Sequence, residues 1–121
     1  MSAISKPQLY REVIDALVAV CKHGQGQIGA DRARKGVWNV AATADFIPEQ
    51  HKYNLLLARL SQEDRETLAE MLEQEVVTGV FESLKALGEF EVDPFLDGYE
   101  GQAYHDFVGR MDDWEWPESP R

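Results

Sequence analysis

From Ser61 to Leu87 the chain reads as one helix, and that element constrains everything else. Ser61 can cap its start, and Glu63, Asp64 and Glu66 place negative charge in the first turns, where the helix dipole favours it. The pattern continues to Leu87, and Gly88 predicts the stop. Roughly twenty-six residues would span ~39 Å, long for a chain this small. The apolar positions also drift. Leu68, Met71 and Leu72 share one direction, while Val77, Val80, Phe81 and Leu84 centre elsewhere on the helix surface at ~100° per residue. Either the helix bends near Thr78-Gly79, where Gly79 supplies a mechanism, or its halves pack on different neighbours.

The other segments follow the same period. Ser5 and Pro7 suit a helix start, and Tyr10, Val13, Ile14, Leu17, Val18 and Cys21 form one apolar stripe that ends at His23 and Gly24. A second helix is expected from Asp31 to Thr43, with Val37, Trp38, Ala41 and Ala42 facing inward. Pro48 opens a third, carrying Tyr53, Leu55, Leu56, Leu57 and Leu60. Its run of three leucines is too apolar for an exposed helix and predicts a central one. Glu89 to Glu100 holds five acids and no base, with Pro94 and Gly98, and reads as a loop. Tyr104 to Met111 predicts a short helix with Tyr104, Phe107, Val108 and Met111 on one side. Pro117 pushes Trp116 towards extended backbone, so Trp114 and Trp116 share a face with Glu115 opposite. The pair is expected to clamp the tail onto the helices; the rival reading is an exposed anchor for a partner. The expected architecture is all-α. One compact helical domain over residues 1–121 has four main helices, a short C-terminal helix and an extended aromatic tail.

Composition narrows function. Apolar residues make up 44% and charged residues 28%, an ordinary globular balance. The net charge is -10 and unevenly placed: residues 1–60 hold 8 Lys and Arg against 5 Asp and Glu, residues 61–121 hold 4 against 17. Such a field repels phosphate backbones, so nucleic acid is disfavoured and a basic or neutral protein partner is favoured. The single cysteine, Cys21, allows neither an internal disulfide nor a cysteine zinc site, and on the apolar stripe it reads as a buried, inert thiol. Met1 to Lys6 lacks a signal-peptide core, and no stretch has the length of a membrane span. A cytoplasmic location without membrane attachment is therefore expected. The one basic cluster, Asp31 to Lys35, reads as the solvated start of the second helix.

Catalytic patterns are thin. Gly24-Gln25-Gly26-Gln27-Ile28-Gly29 matches G-x-G-x-x-G, but a helix rather than a strand feeds it, so it reads as a flexible interhelical loop and not a dinucleotide site. His23, His51 and His105 lack the E-x-x-H and H-E-x-x-H contexts of metal helices. Glu63, Glu66, Glu70 and Glu73 align on one helix, but earlier helices offer no matching acidic pair to share magnesium, and the row reads as a solvated face. Asp93, Asp97 and Glu100 lack the alternating oxygen donors of a calcium loop. His105-Asp106 could orient a base, yet no nucleophile stands nearby, and Ser83 and Ser119 have no supporting motif. No cofactor and no metal are expected, and catalysis is disfavoured though left open.

The C-terminal third carries a resemblance. Asp97-Gly98-Tyr99-Glu100-Gly101, His105-Asp106-Phe107-Val108-Gly109-Arg110 and Asp113-Trp114-Glu115-Trp116-Pro117 together resemble a small uncharacterised bacterial family, which also carries a leucine- and glutamate-rich helix like Leu68 to Leu87. The resemblance implies a compact bacterial helical protein and no activity. The leading expectation is a non-catalytic protein-interaction module. Its rivals are an immunity-type or antitoxin-like inhibitor of a basic effector, and a metal-assisted hydrolase using the helix glutamates. Candidate partner-binding residues are Glu70, Glu73, Asp112, Asp113, Trp114 and Trp116.

Overall fold

The computed structural model describes residues 8–99 and 101–117. Ser5, Pro7, Glu100 and Ser119 lie outside the described residues. The chain is all-α: α1 (Gln8–Lys22), a short 3-10 turn (Gly24–Gln27), α2 (Ile28–Lys35), α3 (Pro48–Arg59), α4 (Gln62–Glu89) and α5 (Ala103–Met111), with no strand among the described residues. It divides into two compact units, His23–Val76, and Met1–Lys22 with Val77–Arg121. α4 contributes its first half to one unit and its second half to the other.

That division accounts for the drifting apolar face of α4. In the His23–Val76 unit, Leu68, Ala69 and Leu72 pack with Ala30 and Ala33 of α2 and Leu57 of α3. In the other unit the second half buries Leu84 and sets Phe81 edge-on to Tyr104 of α5, 4.7 Å between ring centroids. The chain stays helical through Thr78-Gly79, and the two halves have different neighbours. It also passes Gly88. The stop is a Schellman motif with Glu91, at φ 58°, in the left-handed position: Val92 N–H reaches Leu87 O at 2.9 Å and Glu91 N–H reaches Gly88 O at 3.0 Å. Gly88 serves packing instead, since a Cβ there would lie 3.2 Å from Phe95 O.

Within His23–Val76, α2 starts and ends earlier than the expected Asp31–Thr43. The glycine-rich stretch is an ordered 3-10 turn rather than a flexible loop, and α2 begins at Ile28 directly after it. Gly36 ends α2 at φ 82°, with Arg32, Arg34 and Lys35 in the last turn. A Cβ at Gly36 would meet the Arg65 guanidinium at 2.6 Å. The basic cluster is therefore the end of a helix and not its start. Residues 36–47 are irregular, so Val37 and Ala41 are exposed while Ala42 and part of Trp38 are buried. Asn54 of α3 pins this segment: its Oδ1 accepts the N–H groups of Trp38 (2.7 Å) and Asn39 (3.0 Å), and its Nδ2 donates to Asn39 O (2.8 Å). Pro48 starts α3, and Ile47 before it is non-helical at φ 52°. Ser61 Oγ accepts the Asp64 N–H at 3.0 Å, the expected cap of α4.

The other unit centres on a buried carboxyl. Tyr10, Ile14 and Cys21 of α1 and Ala103, Asp106 and Phe107 of α5 are buried, while Val108 turns outward. Asp106 Oδ2 accepts the Tyr10 hydroxyl at 2.6 Å and the Tyr99 N–H at 2.7 Å. Burial, with the adjacent Asp106, pushes the Tyr10 phenol well above the ordinary tyrosine range. Burial also raises the Cys21 thiol, as suits an inert core cysteine. Gln102 and His105 form a reciprocal capping box at the start of α5.

The tail packs as a clamp. Trp116 donates its indole N–H to Asp15 Oδ2 at 2.9 Å, and its ring lies 5.5 Å from Tyr99 and 6.1 Å from Tyr10. Arg110 binds Asp15 Oδ1 at 2.7 Å and also donates to Trp114 O. Trp114 and Trp116 meet edge-on at 5.3 Å, with Glu115 exposed. Trp116 is half-buried, so Trp116→Ala is expected to cost about 2–4 kcal/mol in urea unfolding, at or below the range for core aromatics. A loss under about 0.5 kcal/mol would return the tail to solvent.

Candidate functional site

The leucine run of α3 does not behave as a central helix. Successive helical residues point ~100° apart, so three cannot share one face. Leu57 is buried, whereas Leu55 is 47% exposed and Leu56 44% exposed. Beside them lies a cleft of about 300 Å³, lined by Trp38, Tyr53, Leu56, Leu57, Leu68 and Leu72. All six belong to the His23–Val76 unit. Trp38 and Tyr53 meet edge-on at 6.2 Å. Arg32 lies 5.2 Å from the Trp38 ring centre and Lys52 lies 5.8 Å from that of Tyr53. Exposed Met71 adjoins Leu68 and Leu72 on α4 at three- and one-residue spacing. The Tyr53 hydroxyl is the one titratable group in the lining, and the other five side chains are apolar or indole. What it can do chemically is bury apolar surface.

The glutamate row divides. Arg34 binds Glu66 through two parallel bonds of 2.9 Å and reaches Glu73 Oε2 at 3.0 Å. The Arg34 hydrogen bonds hold the Glu66 carboxyl below its ordinary range, and the two glutamates raise the Arg34 guanidinium in turn. Glu63 and Glu70 are exposed. Among the described residues no three His, Cys, Asp or Glu side chains are grouped to hold a metal ion. A depressed carboxylate stabilises the fold above its unfolded pKa, ordinarily 4.5, and that contribution is lost as pH falls through the lowered folded value. The melting-temperature gap between wild type and Glu66→Gln is therefore expected to narrow from about pH 6 to about pH 3. A gap constant with pH would contradict this.

The remaining candidates have local roles. Glu70 and Glu73 lie in His23–Val76, whereas Asp112, Asp113, Trp114 and Trp116 lie in the other unit. Asp112 follows α5 as its C-cap. Asp113, at φ 65°, is exposed and pairs loosely with Lys22 at 3.6 Å. His105 Nδ1 accepts the Gln102 N–H at 3.1 Å, and Asp106 is buried under Tyr10 and Tyr99, so both side chains of that dipeptide hold the start of α5 and the loop before it. Sequence reasoning missed the α3–α4 cleft. Its signal was the leucine run itself, which places more apolar surface on α3 than one buried face can take.

Residues 4–118 match the family described as a family of unknown function, DUF6547. The chain belongs to this family. That agrees with the resemblance of the C-terminal third to an uncharacterised family. No curated protein and no solved structure matches the chain. In this DUF6547 chain the D-G-Y and H-D-F elements converge on one buried group: Gly98 leaves room for the Asp106 carboxyl, Tyr99 donates to it, and Phe107 fills the core beside it. Among the described residues no helix is long and apolar enough to cross a membrane.

Proposed function

We propose that this chain is a non-catalytic protein-interaction module of the bacterial cytoplasm, and that the α3–α4 cleft is its contact surface. The observation that carries the reading is an apolar cleft whose lining includes exposed Tyr53 and Leu56, with exposed Met71 three residues from Leu68 on the α4 wall. Apolar area removed from water contributes about 25 cal/mol per Å², so a partner that covers these side chains gains from each. The overall charge of -10 disfavours nucleic acid and an anionic membrane as partners. The test is photo-crosslinking in the native host, with a benzophenone side chain at Met71 and a control at Lys85. Adducts at Met71, absent from the control and lost on Leu56→Asp, are expected. Adducts at Lys85 alone would contradict the reading.

A second reading, an immunity-type or antitoxin-like inhibitor of a basic effector, is favoured by one observation. Phe90 is 81% exposed between Glu89 and Glu91, with Val92 and Asp93 exposed beside it. Such binding would weaken with salt and with charge reversal at Glu70, Glu73, Asp112 and Asp113.

A further inference from the structure

We propose that the cleft is covered by the same face of a second copy of this chain, in a two-fold symmetric dimer. The inference rests on the interaction reading above and names its partner. Charge complementarity between the two walls carries it. On α3, Lys52 lies four residues before Leu56 and Arg59 three residues after it, so both flank Leu56 on the helix surface. On α4, Asp64 lies four residues before Leu68, and Glu75 lies four after Met71 and three after Leu72. All four charges are exposed, and among the described residues none has an oppositely charged partner. By helix spacing, two bases therefore adjoin Leu56 on α3 and two acids adjoin Leu68, Met71 and Leu72 on α4, with apolar side chains between them; Glu49, four residues before Tyr53, adds one acid at the start of α3.

A surface of this kind is complementary to itself. In an isologous interface residue i meets j and j meets i, so α3 of each copy can lie over α4 of the other. Leu56 then meets apolar surface, and Lys52 and Arg59 meet Asp64 and Glu75 of the second copy. An acidic partner would be repelled at the α4 edge and a basic one at the α3 edge. The charge distribution agrees. His23–Val76 holds 6 Lys and Arg against 9 Asp and Glu, while the rest of the chain holds 6 against 13. Two copies meeting through His23–Val76 bring together the less repulsive surface. The apolar centre supplies the association, and the exposed charges fix register more than affinity.

Sedimentation equilibrium at about 100 µM tests the proposal, since many specific dimers are populated at that concentration. Wild type is expected to sediment at twice its chain mass of 13.7 kDa. Leu56→Glu should leave a monomer. Lys52→Glu with Arg59→Glu should weaken self-association at least about tenfold, and so should Asp64→Lys with Glu75→Lys, because each juxtaposes like charges. Mixing the two double variants should restore a dimer, now a heterodimer in which both α3–α4 contacts pair opposite signs. The substituted side chains are exposed, and circular dichroism checks that each variant remains helical. A monomeric wild type, a dimer indifferent to Leu56→Glu, or a mixture no more associated than its components would each overturn the dimer. A monomer whose Met71 still crosslinks to a different protein would overturn the dimer while leaving the interaction reading standing.

Discussion

Asp106→Ala is expected to destabilise the chain by about 3–5 kcal/mol. The carboxyl is fully buried and accepts hydrogen bonds from the Tyr10 hydroxyl and the Tyr99 N–H. A net hydrogen bond contributes about 0.5–1.5 kcal/mol, and deleting the acceptor strands both donors in the interior at about 1–3 kcal/mol each. Tyr10→Phe removes one donor and keeps the ring, so its cost should be smaller, about 1–3 kcal/mol. Urea unfolding followed by tryptophan fluorescence would measure both. A loss below about 1 kcal/mol for Asp106→Ala would mean that Asp106 does not organise this unit. Tyr10 adds an alkaline signature. Its folded pKa lies above its unfolded value, so its contribution is fully present below the ordinary value of 10.0 and is lost as pH rises beyond it.

Gly98→Ala should be comparably severe for a different reason. A Cβ at this position would lie 2.6 Å from Asp106 Oδ2 and 2.6 Å from the backbone oxygen of Gln102. The Gln102 oxygen belongs to the N-cap of α5 and cannot swing aside as a side-chain tip can. The turn is further fixed by the Gly98 N–H, which donates to Gly101 O at 2.6 Å. Overpacking costs about 1–3 kcal/mol where neighbours can shift, and a backbone obstacle places this change at about 3 kcal/mol or above. A double-mutant cycle with Asp106→Ala separates the two contacts. Removing the carboxyl relieves one clash but not the other, so the double variant should be less destabilised than the sum while remaining well below wild type. Full additivity would show that Gly98 and Asp106 do not share a packing site.

These two residues show what the sequence could and could not disclose. The helices of α1, α3, α4 and α5 were legible because three- and four-residue apolar spacing survives in each, and Ser61 and Pro48 mark their starts locally. The end of α2 was misplaced because Val37, Trp38, Ala41 and Ala42 continue a helical spacing past Gly36. Only Gly36 in its left-handed conformation, and Asn54 reaching across from α3, reveal that the backbone has already left the helix. The role of Asp106 was illegible because its donors lie 96 and 7 residues away, and local spacing carries no information about the distant one. The partners of Arg34 were hidden likewise: Glu66 and Glu73 read as a solvated row until α2 is laid beside α4. The cleft was hidden by the assumption that a leucine run must be central. Leu57 satisfies that assumption, while Leu55 and Leu56 face solvent.

On the proposed function, the chain meets another protein through the α3–α4 face of His23–Val76. Hydroxyl-radical footprinting tests it directly, comparing the purified chain at about 1 µM, dilute enough to dissociate weak complexes, with the same chain in its native host. Tyr53 reports the cleft, Met71 reports the exposed α4 surface three residues from Leu68, and Phe90 reports the exposed acidic loop of the other unit. Selective protection of Tyr53 and Met71 in the host is expected, with Phe90 as reactive as in the dilute chain. Protection of Phe90 with Tyr53 and Met71 unchanged would contradict it.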